Sequence, residues 1–235
     1  MPEVGSGDDL AALLAEAAGR VGGLADDDVV VVAQKVVSKA EGRVVRLVDV
    51  EPSPLAAQIA DGRDPREVEV VLRETARVVR MRPPLLIAET RHGFVCASAG
   101  VDASNAPEAG CLVLLPVDPD TSASGLRGRL RELTGRVVAV VVSDSFGRAW
   151  RQGTTDVALG VAGLAPLLDL QGERDPVGYE LHATAIAVAD EIAGAAELVM
   201  GKLNRTPAAI VRGLELTGDG TARDLVMPPD RDLFR

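Results

Sequence analysis

The sequence is poor in aromatic residues and in positive charge, and each shortage narrows the classes of protein that it can encode. Aromatic side chains make up only 2% of the 235 residues, so a surface that stacks the bases of single-stranded nucleic acid is not expected. The net charge of −10 disfavours general binding to nucleic acid or to an anionic membrane surface. The 47% of hydrophobic residues predicts a folded globular protein with an aliphatic core, in which a local basic pocket for a small anion is still possible.

Cysteine is also scarce, and the known targeting and membrane signals are missing. Cys96 and Cys111 lie in apolar stretches, and no CxxC or Cys/His cluster accompanies them, so two buried free thiols are expected. The opening residues MPEVGSGDDL lack the basic and apolar segments of a signal peptide. No apolar run is long enough to span a membrane. We therefore expect a cytoplasmic protein that has no membrane partner.

Helix-like and strand-like stretches alternate along the chain, but several strands follow one another without a helix between them. Strands are predicted at 29–37, 43–50, 84–101 (two strands), 111–119, 137–153 (ending in a polar loop) and 207–216. Helices are predicted at 8–22, 53–60, 65–80, 122–135 and 178–201. This order predicts an α+β fold with a mixed α/β sheet. No GxGxxG or GxxxxGK[ST] motif is present, so neither a Rossmann nor a P-loop fold is expected.

Two stretches place an aspartate directly after an apolar strand. Asp102 occurs in VDASN with Ser104 and Asn105, and Asp144 occurs in VVVSDSFGR. Carboxylate and hydroxyl oxygens at a strand end suit a hard cation such as Mg²⁺, but the residue pattern alone favours a hydrogen-bonded Asx-turn for the first stretch. A turn residue likewise explains the second. The presence of two such aspartates favours a shared metal, because two converging carboxylates require a cation or a proton.

Two basic stretches allow both a structural and a functional interpretation. Lys35 and Lys39 in QKVVSKAEGR form either a solvated basic face or a binding site for a phosphate. Arg148 and Arg151 flank Trp150 in GRAWRQG. They belong either to a surface turn in which Trp150 is a packing anchor or to a site for a substrate carboxylate or phosphate.

Several stretches, taken in their order along the chain, resemble the coenzyme F420-0:L-glutamate ligases, also called F420 gamma-glutamyl ligases. They are PEVGSGDDL, VVSKAEGR, AGVDASN, LLPVDPDTSA, VVVSDSFGRAWRQG, RDPVGYEL, VADEIAGAAELVMGK and PAAIVRGL. The resemblance covers almost the whole chain and is greatest to the ligase half of the two-domain actinobacterial enzyme. It implies the fold of that family, a single ligase domain over residues 1–235 that is either standalone or part of a longer protein, and an intertwined homodimer.

The resemblance also implies a reaction. Such a ligase uses GTP to join L-glutamate to the carboxylate of coenzyme F420-0, and then adds further gamma-linked glutamates. The reaction passes through an acyl phosphate, releases GDP and phosphate, and needs Mg²⁺ or Mn²⁺, with K⁺ as a helpful ion. Two alternatives stay open: a module that binds GTP and F420 without turnover, and a ligase for a different acid, because the fold alone does not fix the acceptor.

The resemblance assigns roles to individual residues. Asp102 and Asp144 match the metal-binding, catalytic aspartates, and Ser145 stands where the family has a residue near a second metal. Contacts to the nucleotide or to an anionic substrate are implied for Pro2, Glu3, Val4, Gln34, Lys35, Lys39, Asn105, Arg148, Arg151 and Lys202.

Two departures from the family pattern accompany these assignments. The chain begins at Met1–Pro2, without the further N-terminal strand that family members usually carry. Lys202 follows Gly201, where archaeal members have an acidic, glycine-rich loop. A protonated lysine cannot bind a metal, so we expect Lys202 to neutralise a phosphate instead.

Overall fold

The predicted α+β fold is confirmed by the structure, a computed structural model that describes residues 1–215 and 218–233. The helices are α1 (Leu10–Gly19), α2 (Gln34–Ala40), α3 (Pro54–Ile59), α4 (Pro65–Glu74), α5 (Pro119–Thr134) and α6 (Val188–Met200). The strands are β1 (Val29–Ala33), β2 (Val44–Arg46), β3 (Thr75–Arg82), β4 (Leu85–Thr90), β5 (Val95–Ala97), β6 (Cys111–Val113), β7 (Ala139–Arg148), β8 (Arg151–Ala162), β9 (Leu168–Asp169), β10 (Ala185–Ile186) and β11 (Ala208–Val211).

A four-stranded sheet in the order β11-β1-β7-β8 forms the centre of the molecule. Strand β1 runs parallel to β7, from the pair Val29↔Ala139 to the pair Ala33↔Ser143, and the outer strands are antiparallel to their neighbours. Helices α1 and α5 cover one face of this sheet, and α6 covers the other. Continuous valine runs can therefore form its central strands, because both faces of the sheet are buried.

Several predicted elements have the wrong extent. The predicted strands 43–50 and 111–119 are shortened to Val44–Arg46 and Cys111–Val113. The predicted strand 29–37 ends at Ala33, and the chain enters α2 at once. Only the first part of the predicted helix 65–80 is helical, since Thr75–Arg82 forms β3. The predicted helix 178–201 begins only at Val188, and the two-residue strand β10 precedes it. The error at 29–37 has a clear physical cause: a short apolar run is compatible with a buried helix as well as with a buried strand.

The polar loop predicted after the β7 valines is also wrong, because the strand continues through it. Strand β7 pairs with β8 from Ser143↔Ala158 to Arg148↔Arg151, which makes one long hairpin. We call its outer part, residues 144–157, the β7–β8 arm. The ladder with β8 supplies the backbone hydrogen bonds that keep polar residues extended beyond the core.

The predictions about thiols and membrane segments can be compared directly with the fold. Cys96 on β5 and Cys111 on β6 are buried free thiols, as predicted. Among the helices of the described residues, none has the length and apolar character needed to cross a membrane.

Candidate functional site

The two predicted aspartates lie near the point where the parallel pairing of β1 with β7 ends. Asp144 directly follows Ser143, which pairs with the last residue of β1. Asp102 is held by a β-bridge to Val113 at the end of β6. Lys35, in the first turn of α2, places its Nζ atom 2.6 Å from Asp102 Oδ2. The carboxyl ends of parallel strands are the usual place for a ligand site in α/β proteins.

Asp102 is a strongly stabilised carboxylate. Its Oδ1 accepts the Ser104 backbone N–H at 2.8 Å, and its Oδ2 accepts the Ser104 hydroxyl at 2.6 Å, which is the geometry of the predicted Asx-turn. Burial alone would raise the pKa of Asp102, but the hydrogen bonds from Lys35 and Ser104 lower it to about 2. The neighbouring Asn105 is exposed at a left-handed φ of 55°, a conformation that asparagine tolerates. Asp102 is therefore charged at neutral pH.

Asp144 has the opposite character. Burial raises the pKa of this carboxyl group to about 6, and the charge of Asp156 adds to the rise, although Lys35 and Lys202 oppose it. Within the described residues no lysine or arginine approaches Asp144 to ion-pair distance. The charge of Asp144 also contributes to the pKa of the Cys96 thiol, which is raised to about 12 chiefly by burial. Asp144 is thus a half-buried carboxyl group without a direct counter-ion among the described residues.

Two lysines connect the two aspartates. Lys35 contacts Asp102 and also lowers the pKa of Asp144. Lys202 does the same from the loop after α6, since its Nζ lies 4.0 Å from Asp102 Oδ2 and its charge lowers the pKa of Asp144. The predicted residues Asp102, Asp144, Lys35 and Lys202 therefore share one electrostatic environment.

The sequence analysis missed Asp156, a buried carboxylate on β8. Its side chain accepts the Ser143 hydroxyl at 2.9 Å and the Ser145 hydroxyl at 2.7 Å. Ser145, predicted to lie near a second metal, is thus hydrogen-bonded to Asp156 behind Asp144. The sequence gives one sign of this residue: Asp156 is the single charged residue in the apolar run that follows Thr154 and Thr155. Its partners are 11 and 13 residues away, so only the β7–β8 register reveals the contact.

The predicted nucleotide contacts near the N-terminus meet α2 one turn beyond Lys35. The Glu3 carboxylate pairs with the Lys39 ammonium group. Val4 is buried in the core, where it anchors this segment, while Pro2 and Glu3 are exposed. Because Lys35 and Lys39 are four residues apart, they lie on the same side of α2 and form a line of positive charge.

Gln34 has a structural role in this arrangement. Its Nε2 atom donates to Ser38 Oγ at 2.5 Å and to the Leu114 carbonyl at 2.8 Å, in a buried position. The side chain therefore fixes the start of α2 against the segment after β6. This contact fixes the first turn of α2, and so the position of Lys35 beside Asp102, whether or not Gln34 itself contacts a nucleotide.

Arg148 and Arg151 are not brought to the aspartates. They form the last cross-strand pair of the β7–β8 arm and are exposed. Arg148 is four residues beyond Asp144, a distance of about 13 Å along an extended strand.

The oxygen atoms at the strand ends fit a hard divalent cation. The carboxylates of Asp102 and Asp144 and the hydroxyl of Ser145 are ligands that Mg²⁺ and Mn²⁺ accept, and Asp144 lacks a counter-ion. The described residues hold no group of three or more Asp, Glu, His or Cys side chains arranged for a metal. Water and phosphate oxygens would therefore complete the coordination, as is common for Mg²⁺.

A cavity of about 480 Å³ lies elsewhere, along the outer edge of β11. Its lining is mostly apolar, with residues such as Leu14 and Val30, and its charged residues are Arg205 and Arg212, without a carboxylate. This apolar composition does not fit the ionic chemistry of the strand ends, so we place the candidate site at Asp102 and Asp144.

Comparison with known proteins identifies the family of this chain. Residues 1–213 match the family model described as F420-0:Gamma-glutamyl ligase. The coenzyme F420:L-glutamate ligase of Methanothermobacter thermautotrophicus is 47% identical over 242 residues, which cover 100% of this chain and 96% of the relative. The protein of that name from Methanopyrus kandleri is 48% identical over 241 residues (99% and 94%). The one from Methanocaldococcus jannaschii is 42% identical over 214 residues (89% and 85%). The chain therefore belongs to the F420-0:gamma-glutamyl ligase family.

Proposed function

We propose that this protein is a GTP-dependent ligase that joins L-glutamate to the carboxylate of coenzyme F420-0 and then adds further gamma-linked glutamates. Membership of the family supports the glutamate ligation, since the relatives above are named for it. The observation that carries the proposal is the arrangement of Asp102 and Asp144, two carboxylates in opposite electrostatic states, around the same pair of lysines. Such a site suits a reaction that moves a highly charged phosphoryl group.

The basic residues of α2 support the use of a nucleoside triphosphate. The Lys39 side chain is only 6% exposed, whereas its partner Glu3 is 79% exposed. An exposed carboxylate is easily displaced, because water readily replaces the ion pair that it loses. A phosphate group can therefore take the place of Glu3 beside Lys39, while Lys35 and Lys202 reach the phosphate that is transferred.

Asp102 and Asp144 would hold Mg²⁺ or Mn²⁺, and Ser145, which faces Asp156, would lie near a second metal ion. A divalent cation, when bound there, offsets the negative charge that repels an attacking carboxylate. We include K⁺ as a stimulating ion without assigning residues to it.

The residues of the chain then have separate tasks in the two halves of the proposed reaction. In the first half, the F420-0 carboxylate attacks the γ-phosphorus, the bond to GDP breaks, and an acyl phosphate forms. The Lys35 ammonium group is hydrogen-bonded to Asp102 in the free protein. At this stage we expect it to leave Asp102 and to bind an oxygen atom of the transferred phosphate. In the second half, the glutamate amine attacks the acyl carbon and phosphate leaves. The lysines stabilise that leaving group.

The direct test is to incubate purified protein with F420-0, L-glutamate, GTP and Mn²⁺ and to follow the products by mass spectrometry. We expect F420 with added glutamates and an equal amount of GDP. Absence of both would reject the proposal.

Further measurements separate the alternatives. Calorimetric binding of GTP or F420-0 without turnover would identify a binding module. GTP-dependent phosphate release with another acid, found by screening acceptors, would identify a different ligase. Sedimentation velocity would test the proposed homodimer.

A further inference from the structure

One face of the β7–β8 arm continues outward from Asp144. Side chains on a strand alternate between its two faces, so Asp144 and Phe146 project from the same face of β7. The register with β8 shifts between Gly147 and Arg148, and Arg148 lies beyond this shift at the outer end of the arm. Ser143 and Ser145 project from the other face, where they meet Asp156. The arm therefore joins the candidate reaction centre to an exposed surface through one continuous strand.

The far end of the arm carries an uncompensated pair of positive charges. Arg148 lies directly opposite Arg151 in the hairpin register. Neither guanidinium has an acidic partner at ion-pair distance within the described residues. Like charges that face each other across two strands destabilise a hairpin. A bound anion would remove this repulsion.

Another strand pair in the same protein shows the usual arrangement. Arg77 on β3 lies opposite Glu89 on β4, and the two side chains form an ion pair at 2.8 Å. An exposed strand arginine is thus neutralised by its cross-strand neighbour in that hairpin. In the arm, the equivalent neighbour of Arg148 is a second arginine, so the neutralising group must come from outside the hairpin.

Aromatic rings occupy the middle of the same face, although the chain has very few of them. Phe146 meets Phe94 edge to face, with 6.3 Å between the ring centroids. Phe94 is stacked on His92 at 5.6 Å, and His92 Nε2 donates to the Pro116 carbonyl at 2.9 Å. These contacts hold the rings in place on the β5 side of the arm, between Asp144 and the two arginines.

We propose that this face of the arm binds the acceptor substrate, with its reacting carboxylate toward Asp144 and its anionic, conjugated ring system over Phe146 and against Arg148 and Arg151. The inference rests on the proposed function, because it assumes an acceptor with these two ends. The two ends of the proposed site, Asp144 and Arg148, are about 13 Å apart along the strand.

The test is a double substitution, Arg148→Gln with Arg151→Gln, assayed under saturating GTP and glutamate. Losing charge-assisted hydrogen bonds from two guanidinium groups should raise the KM for F420-0 at least about tenfold. The KM for GTP and kcat at saturating F420-0 should not change. Phe146→Leu should raise the KM for F420-0 by a smaller factor, about threefold, through loss of ring contact.

The matched control is Arg80→Gln with Arg82→Gln on the exposed strand β3, which removes the same charge at a distance from the site. It should leave the KM for F420-0 unchanged. An unchanged KM in the Arg148/Arg151 variant, or a fall in kcat alone, would overturn the inference. So would a change in that variant's oligomeric state by sedimentation velocity, because the arginines would then bind a second copy of the chain. If the wild-type protein fails to glutamylate F420-0, the proposed function itself has failed.

Discussion

Asp102 and Asp144 face the same lysines, but their surroundings give them opposite properties. Asp102 sits in a loop, and its carboxylate accepts two hydrogen bonds from Ser104 and one from Lys35 on α2, so its pKa is lowered to about 2. Asp144 sits at the edge of the core without an ion-pair partner among the described residues, and burial raises its pKa to about 6. The comparison shows that a strand-end aspartate can be stabilised by its own loop or left dependent on a ligand. Each prediction below changes one side of this comparison.

The largest effect is expected for Asp144→Asn. The amide keeps the shape of the side chain but removes the charge that a divalent cation requires, at a cost of several kcal/mol in the transition state. Turnover should fall about a thousandfold while the circular dichroism spectrum stays the same. Asp190→Asn is the control, because Asp190 is another carboxyl group with a pKa raised by burial but lies on α6. Unchanged metal-dependent activity of the Asp144 variant would reject the assignment.

A smaller effect is expected for Asp156→Asn, which alters the environment behind Asp144. Asparagine can still hydrogen-bond to Ser143 and Ser145, because their hydroxyl groups can rotate to accept as well as donate. The variant loses only the negative charge. Groups behind metal ligands commonly affect metal affinity by 10-fold to 100-fold, so the Mn²⁺ concentration for half-maximal activity should rise about tenfold. An unchanged Mn²⁺ dependence would show that Asp156 has only a structural role.

Lys39→Ala tests the basic side of the site. Loss of a charged phosphate contact should raise the KM for GTP about tenfold, with little change in the KM for F420-0. The paired control is Glu3→Gln, which removes the competitor for the Lys39 ammonium group and should lower the KM for GTP or leave it unchanged. If GTP dependence is unaltered in the Lys39 variant, Lys39 does not bind phosphate.

The pH dependence of folding should distinguish the two aspartates in metal-free protein. The lowered pKa of Asp102 contributes stability that is complete above about pH 4 and is lost as pH falls toward 2. After allowance for its exposure, this contribution is about 1 kcal/mol. The raised pKa of Asp144 acts in the opposite sense, so stability should fall as pH rises from about 4 to about 6.

Urea unfolding at a series of pH values, with a chelator present, measures both effects. Asp102→Asn should reduce the loss of stability in acid. Asp144→Asn should remove the decline between about pH 4 and pH 6. Identical pH profiles for the two variants would contradict the difference between the two sites.

Several features were predictable because local sequence determines them. The valine runs of β1 and β7 indicated buried strands, and the Asx-turn at Asp102 depends only on the next two residues. The shared exposure of Asp102 and Asp144 to Lys35 and Lys202 was not predictable from the sequence, because it depends on how β6 and β7 are placed by the fold. Asp156 was missed for the same reason, since its partners come from the neighbouring strand.

The elements with the wrong type or extent lie where burial does not follow a simple period. The arm residues 144–148 are polar but extended, because hydrogen bonding to β8 replaces burial in a core. Most of β3 is exposed, so its sequence lacks the alternation that identifies a half-buried strand. The end of the predicted last strand, at Leu216, lies outside the described residues.

The ion pair between Lys35 and Asp102 has a consequence for the order in which ligands enter. Because Lys35 already neutralises Asp102, Asp144 is the one of these two aspartates that offers a divalent ion a carboxylate without a counter-ion among the described residues. We expect the Lys35 ammonium group to leave Asp102 only when a nucleotide phosphate is present to bind it. We therefore expect calorimetry to show that the nucleotide-free protein binds Mn²⁺ weakly and that nucleotide and metal bind together.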